Sequence, residues 1–178
     1  MNTLPGDGTP TDILARMLRV NHAGEYGAQR IYAGQMAVLG NSAIGKELAH
    51  MAQQEQAHLH AFETLLRSKR VRPTALLPFW HMAGYALGAA TAAMGSNAAM
   101  ACTVAVETEI AKHYEAQLKT LGESEPELAQ QIKQFRDEEL EHHAIGIAHG
   151  AEKTPGYELL KAVIGAGCRA AIKLAERV

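Results

Sequence analysis

The chain has 178 residues, of which 47% are hydrophobic, 20% charged and only 5% aromatic, and its formal net charge is −2 at neutral pH. This composition excludes a disordered or collagen-like chain, and the length fits one globular domain. A net charge so close to zero gives no general attraction to nucleic acid, so we expect no nucleic-acid partner.

The beginning of the chain is rich in turn-forming residues. Two prolines and two glycines among the first ten residues predict a flexible tail over 1–10, followed by a single domain over 11–178. The sequence here resembles neither a secretory signal nor a mitochondrial presequence. Cys102 and Cys168 both lie in apolar stretches, where we expect reduced thiols. Together these features favour a reducing compartment.

A first antiparallel helix hairpin is predicted by its capping and turn residues. Thr11 or Asp12 can cap a helix that runs to about Leu39. A short polar turn follows, and Ser42 can cap a second helix that runs to about Arg67. Two long helices joined by so short a turn must lie side by side.

A segment between two predicted hairpins, residues 68–96, has an unusual composition. No Asp, Glu, Lys or Arg occurs from 73 to 106, and a basic run at 67–72 precedes this stretch. Prolines, glycines and many alanines argue against a membrane-spanning helix. Nearby aromatic residues and the basic run favour a helix at a membrane surface over an internal core helix. The aromatic residues are Phe79, Trp80 and Tyr85.

The second hairpin repeats the plan of the first. We predict one helix over about 97–121, a break at 122–126 and another helix to about 150. Pro155 and Gly156 then open a C-terminal helix that continues to the end. The predicted fold is therefore all-α: a four-helix bundle of two antiparallel hairpins, with the segment 68–96 and the C-terminal helix added.

The second helix of each hairpin carries one Glu-x-x-His pattern. The two patterns are Glu55 with His58 and Glu139 with His142. Residues three apart share one helix face, so each pattern can present a carboxylate and an imidazole to the same point. Either pattern alone is more often a pair of surface charges.

A single glutamate on the first helix of each hairpin changes this interpretation. Glu25 is flanked by small residues, and Glu107 follows an apolar stretch in which an unpartnered carboxylate would be costly to bury. Residue 40, midway between Glu25 and Glu55, lies in the first turn, and residue 123, midway between Glu107 and Glu139, lies in the second break. The glutamates of each hairpin should therefore lie at one height.

The four glutamates and two histidines form the ligand set of a carboxylate-bridged metal pair in a helix bundle. Carboxylate and imidazole ligands suit iron or manganese, whereas a structural zinc site would more often use cysteine. The competing interpretation is that these residues are surface charges. The predicted ligands are Glu25, Glu55, His58, Glu107, Glu139 and His142. Glu107 is preferred to Glu109 because it satisfies the midpoint.

Three neighbours are candidates for supporting or redox roles. Glu138 could hold the free ring nitrogen of a ligand histidine, although it could equally be a solvated charge. His22 lies one turn before Glu25, and the alternative for it is a structural histidine between helices. Tyr114 lies two turns beyond Glu107 on the same face, and it could be a phenol near the metals or a packed core tyrosine.

These residues lie in motifs that closely resemble the demethoxyubiquinone hydroxylase family of coenzyme Q biosynthesis. The matching segments are RVNHAGEYGA at 19–28, IYAGQMAVL at 31–39, ACTVAVE at 101–107, FRDEELEHH at 135–143 and AGCR at 166–169. The resemblance implies a ferritin-like di-iron monooxygenase that hydroxylates the ring of 5-demethoxyubiquinone with dioxygen and electrons from NADH. It also implies the six ligands that the spacing predicts.

The resemblance further implies peripheral attachment to a membrane, where a polyprenyl quinone substrate resides. In eukaryotes the family works with a lipid-binding accessory protein in mitochondria. The N-terminal composition favours a bacterial member at the cytoplasmic face of the inner membrane, with an accessory protein and a homo-oligomer as open partners. No Gly-x-Gly-x-x-Gly motif follows a strand, so the sequence predicts no site for NADH.

Two other functions share part of this pattern. A ferritin-like protein that oxidises iron or reduces peroxide would use the same ligands, but it would not need the uncharged segment. A non-enzymatic, membrane-associated module that binds quinone or lipid would need that segment but no metal.

Overall fold

The computed structural model describes residues 10–122 and 124–177, and in this part of the chain it contains helices and no strand. Two helix hairpins form the bundle, which confirms the predicted all-α, ferritin-like class. The helices are α1 (Pro10–Leu39), α2 (Gly45–Lys69), α3 (Leu77–Ala93), α4 (Ser96–Leu121), α5 (Pro126–Ala148) and α6 (Tyr157–Ala175), and a 3-10 helix (Ala151–Lys153) precedes α6.

The two hairpins, α1 with α2 and α4 with α5, pack against each other, and the remaining helices cover their outer sides. Helix α3 lies along α1, and α6 lies along α4. Cys102 in α4 and Cys168 in α6 are both free thiols, in agreement with the sequence. Residues 1–9 of the predicted tail lie outside the described part of the chain. The tenth residue, Pro10, is the first residue of α1.

The predicted N-terminal caps of α1 and α2 are wrong. Thr11 and Asp12 lie within the first turn of α1, since this helix begins at Pro10. Ser42 does not cap α2, which begins at Gly45 without a side-chain cap. Instead the Ser42 hydroxyl and the Ser42 backbone N–H both donate to the carbonyl oxygen of Leu39, over 2.6 Å and 2.9 Å, so Ser42 caps the end of α1.

Helix α3 is continuous although it contains two glycines. Gly84 and Gly88 mark the positions where α3 crosses α1 at very short range. A Cβ atom at Gly84 would lie 2.9 Å from the carbonyl oxygen of Gly27, and one at Gly88 would collide with the carbonyl oxygen of Ile31. The glycines therefore allow the two helices to pack closely. None of the described helices is both long and apolar enough to cross a membrane.

Two apolar clusters fill the bundle at its two ends. The first contains Phe62, Ile132 and Phe135, and the second contains Leu48, Met51 and Met100. The predicted metal ligands lie between these clusters along all four bundle helices. This arrangement keeps water away from the middle of the bundle.

Candidate metal centre

All six predicted ligand side chains meet in the middle of the bundle, and each is at most 1% exposed. They form two overlapping groups in which one ligand atom from each residue lies within 4.8 Å of the others. One group contains Glu25 and His58, the other contains Glu107 and His142, and both contain Glu55 and Glu139. The glutamates of the two Glu-x-x-His patterns thus belong to both groups.

The polar atoms at this point lack the partners that buried polar atoms normally have. Nδ1 of His58, Nδ1 of His142 and both carboxylate oxygens of Glu55 and Glu139 are buried without a hydrogen-bond partner. Leaving such atoms unsatisfied is costly, and a metal cation would satisfy them all at once. The donor set of carboxylates and imidazoles therefore fits a pair of divalent cations.

The electrostatics of the cluster also fit bound cations. Burial, reinforced by repulsion from neighbouring carboxylates, raises the pKa of Glu55 and of Glu107 well above the ordinary value. Burial also raises the pKa of Glu139. Burial alone would lower the pKa of His58, but the carboxylates of Glu139 and Glu25, which lie 3.2 Å and 3.3 Å from its Nδ1, raise it to about 11. Metal ions would offset the negative charge that the fold concentrates here.

Both imidazoles are held through the nitrogen that faces away from the cluster. Nε2 of His58 donates to Glu138 over 2.5 Å, and Nε2 of His142 donates to the amide oxygen of Gln54 over 2.9 Å. Nδ1 of each ring is thereby left as the nitrogen that faces the carboxylates. Burial opposes ionisation of Glu138, but hydrogen bonds from His58 and Gln134 lower the pKa of its carboxyl group.

Two tyrosines hold the glutamates that belong to one group each. Tyr114 on α4 donates a short hydrogen bond to Glu25 on α1. Tyr32 on α1 donates to Glu107 on α4 over 2.7 Å. Each phenol thus reaches across to the opposite helix and orients a candidate ligand. Tyr32 was missed by the sequence analysis.

The missed residues, Gln54 and Tyr32, could have been found from an internal repeat. Glu25 and Glu107 are 82 residues apart, as are Tyr32 and Tyr114. Glu55 and Glu139 are 84 residues apart, as are Gln54 and Glu138. Because the second hairpin repeats the first, every candidate in one hairpin points to a counterpart in the other.

His22 and Glu109, which the sequence analysis considered near the ligands, lie outside the ligand cluster. His22 belongs to neither ligand group, and its ring stacks on Tyr26 with the centroids 6.5 Å apart. Burial lowers the pKa of His22. Glu109 pairs with Lys112 and with Arg169 of α6, each over 3.0 Å, so its carboxylate serves the packing of α6 on α4.

An apolar groove of about 480 Å³ is lined in part by Gly24 and Val106, the chain neighbours of Glu25 and Glu107. Residues of α1, α3 and α6 form its walls, and Val106 and Ile110 of α4 contribute next to Glu107. Phe79, Val163 and Leu174 line the groove and are also 60%, 61% and 48% exposed. These three residues, which we call the apolar rim, place hydrophobic surface at the edge of the groove.

The chain is similar to proteins named as hydroxylases in several organisms. The chain is 57% identical to the bovine protein named "NADPH-dependent 3-demethoxyubiquinone 3-hydroxylase, mitochondrial", over 97% of this chain and 81% of the relative. It is 51% identical to "3-demethoxyubiquinol 3-hydroxylase" of Rhodospirillum rubrum, over 98% of this chain and 83% of the relative. It is 41% identical to "5-demethoxyubiquinone hydroxylase, mitochondrial" of Saccharomyces cerevisiae, over 93% of this chain and 78% of the relative.

The family described as "Ubiquinone biosynthesis protein COQ7" matches residues 12–175, a range that includes all six candidate ligands and the groove. The chain therefore belongs to the COQ7 family of ubiquinone biosynthesis proteins.

Proposed function

We propose that this chain is a di-iron hydroxylase of ubiquinone biosynthesis that adds one oxygen atom from dioxygen to the ring of demethoxyubiquinone. The observation that carries the proposal is the buried cluster of four carboxylates and two imidazoles, whose unpartnered atoms converge beside an apolar groove. The names of relatives that are 41% to 57% identical supply the substrate and the reaction.

Glu25 and His58 would hold one iron ion, Glu107 and His142 would hold the other, and Glu55 and Glu139 would bridge them. When bound, the iron pair supplies the reducing power that activates dioxygen. The protein contributes orientation, because Tyr114 and Tyr32 fix the two terminal carboxylates. The apolar clusters at both ends of the bundle exclude water from the reacting centre.

The groove suits a hydrophobic quinone better than a polar metabolite. Its walls consist mostly of aliphatic residues and glycines. One of them, Val106, directly precedes the candidate ligand Glu107 in the chain. Trp80 of α3 also lines the groove, and its Nε1 is buried without a hydrogen-bond partner. This N–H group could donate to a ring oxygen of the quinone, while the prenyl tail lies along the apolar walls.

Electrons would come from a reduced nicotinamide nucleotide. The family resemblance implies NADH, whereas the name of the bovine relative specifies NADPH. Comparing turnover with the two nucleotides at equal concentration decides between them for this chain.

The decisive experiment is a single turnover. The purified protein is loaded anaerobically with ferrous iron, supplied with NADH or NADPH and a short-tail demethoxyubiquinone, and then exposed to ¹⁸O₂. We expect the quinone to gain one labelled oxygen atom, and we expect Glu139→Ala to abolish this gain. Two bound irons with an unchanged quinone would instead indicate iron or peroxide chemistry, and no bound iron would contradict the metal centre.

We also propose that the protein attaches peripherally to a membrane through the apolar rim. The exposed basic run at 67–72 leads into α3 and would attract anionic headgroups. A rim around the groove would let a quinone pass from the lipid into the bundle without crossing water. The cytoplasmic face of a bacterial inner membrane stays the predicted location.

Serine at both Phe79 and Val163 is expected to weaken binding to anionic vesicles by tenfold or more. Burying one such side chain contributes about 1.5–3 kcal/mol, and about 1.4 kcal/mol corresponds to a factor of ten. Vesicle co-sedimentation measures the effect. Val38→Ser is the matched control, since Val38 is 47% exposed on α1 but does not line the groove. Equal binding by all variants would contradict attachment through the rim.

Divalent metal binding is expected to release protons and to strengthen as the pH rises. Because burial raises the pKa values of Glu55, Glu107 and Glu139, protons compete with metal for these oxygens at higher pH than they would at exposed carboxylates. Raising the pH removes the competing protons, so the affinity for Mn²⁺ should increase. Calorimetric titrations in two buffers of different ionisation enthalpy count the released protons. A pH-independent affinity would contradict this prediction.

A further inference from the structure

The two candidate metal positions differ in one feature of an otherwise repeated design. Glu25 corresponds to Glu107 and His58 corresponds to His142, and each terminal glutamate accepts a hydrogen bond from a tyrosine. The residue that holds the outer nitrogen of the imidazole occupies the same place in both halves but differs in type. It is the carboxylate Glu138 behind His58 and the neutral amide Gln54 behind His142.

Glu138 and Gln54 occupy equivalent places, each directly before a bridging glutamate. The contact from His58 to Glu138 is 2.5 Å and the contact from His142 to Gln54 is 2.9 Å. The second oxygen of Glu138 accepts a hydrogen bond from Gln134 over 2.9 Å, which fixes the carboxylate. A hydrogen bond to a charged acceptor is stronger than one to a neutral acceptor.

A carboxylate behind a ligand histidine makes the imidazole a better electron donor and adds a negative charge close to the metal. An amide orients the ring but adds no charge. The position at Glu25 and His58 therefore has a more basic nitrogen ligand and one more nearby negative charge than the position at Glu107 and His142.

We infer that Glu138 makes the two metal positions inequivalent, so that the position at Glu25 and His58 binds a divalent cation more tightly than the position at Glu107 and His142. Glu138 acts as a positioning residue through His58. The inference rests on the proposed metal centre, and it assigns an order of filling to its two positions.

Two reciprocal substitutions test the inference. Glu138→Gln gives both imidazoles an amide partner, and Gln54→Glu gives both a carboxylate. Changing such a supporting residue typically alters metal affinity by about 10–100-fold. In anaerobic titrations with Co²⁺ against a fluorescent chelator, Glu138→Gln should weaken the first binding step about tenfold. Gln54→Glu should strengthen the second step by a similar factor, and the double variant should restore the separation of the steps.

A spectroscopic measurement provides an independent readout. With one equivalent of ⁵⁷Fe²⁺, the unmodified protein should give predominantly one Mössbauer doublet, and a second equivalent should add another of equal area. In Glu138→Gln one equivalent should divide between both doublets. Glu141→Gln is the control, since it removes the same charge from an exposed residue of the same helix. Thermal melting establishes that each variant is folded.

The outcomes separate this inference from the proposed function. Two bound metals with binding steps that neither substitution changes would overturn the inference and leave the metal centre intact. A first step weakened equally by Glu141→Gln would also overturn it, because general charge rather than the contact with His58 would then be responsible. Binding of no metal by the unmodified protein would contradict the metal centre and the inference together.

Discussion

Replacing Glu55 with glutamine should abolish hydroxylation and yet stabilise the fold in the presence of a metal chelator. Glu55 is fully buried, and neither carboxylate oxygen has a hydrogen-bond partner. Burial and the neighbouring carboxylates Glu139, Glu25 and Glu107 all disfavour its ionised form. Glutamine has nearly the same shape but no charge, so it relieves the repulsion while removing a bridging ligand.

We expect activity to fall by more than about 100-fold, since even residues that only support a metal ligand typically contribute 10–100-fold. With chelator present, the free energy of unfolding should rise by about 1–2 kcal/mol, because replacing uncompensated buried charge is favourable. Added Mn²⁺ should raise the melting temperature of the unmodified protein but not that of the variant. Chemical unfolding and thermal melting measure both effects.

Glu63→Gln is the matched control for this experiment. Glu63 lies on the same helix, is 42% exposed and pairs with Arg67, so its substitution should change stability by no more than about 0.5 kcal/mol. A loss of stability in Glu55→Gln with chelator present would contradict the prediction. It would mean that the carboxylate serves the fold itself, through its 3.1 Å contact with Nδ1 of His142.

The sequence predicts that the six candidate ligand side chains meet, because their heights in the bundle depend only on the helical rise and on the distance of each residue from the turn. A helix rises by a constant amount per residue, so two residues equally far from a tight turn lie at the same height. Glu25 with Glu55 and Glu107 with Glu139 satisfy this condition, and the i, i+3 spacing then adds the two histidines. No knowledge of tertiary packing is needed beyond the pairing of each hairpin.

Features that depend on a tertiary partner were harder to predict. Gly84 and Gly88 resemble helix breakers in an isolated segment, but they become packing sites once α1 lies against α3. The hydroxyl of Ser42 can cap a following helix or satisfy a preceding one, and local sequence does not distinguish the two uses. Gln54 carries no charge and belongs to no motif, so only the repeat could have identified it.

The uncharged run from 73 to 106 has two different physical causes. Gly95, with a φ of 115°, divides the run between α3 and α4. The first half of α4 lacks charge because it is buried inside the bundle, whereas α3 packs on α1 and leaves Phe79 and Met82 exposed. Absence of charge therefore supports the proposed membrane attachment only where the run is exposed, because burial alone accounts for it in α4.

Leucine at Gly24 or at Gly167 should block the groove without loosening the fold. Both glycines line the groove, Gly24 from α1 and Gly167 from α6, and a Cβ atom at either position would meet no atom within 4 Å. Both are within helices, where replacing glycine with alanine stabilises by about 1 kcal/mol. A larger side chain would occupy the space that we assign to the quinone.

We expect kcat/KM for a short-tail demethoxyubiquinone to fall about 10–100-fold with leucine, because small displacements of a substrate can slow a reaction 100-fold. Alanine at the same positions should have a much smaller effect, and metal content should stay unchanged throughout. Steady-state kinetics, metal analysis and thermal melting follow the series. Unchanged kinetics with leucine at both positions would contradict the assignment of the groove. A fall in activity combined with a rise in melting temperature could not come from unfolding, so this pair of opposite signs would identify the groove as the path of the substrate.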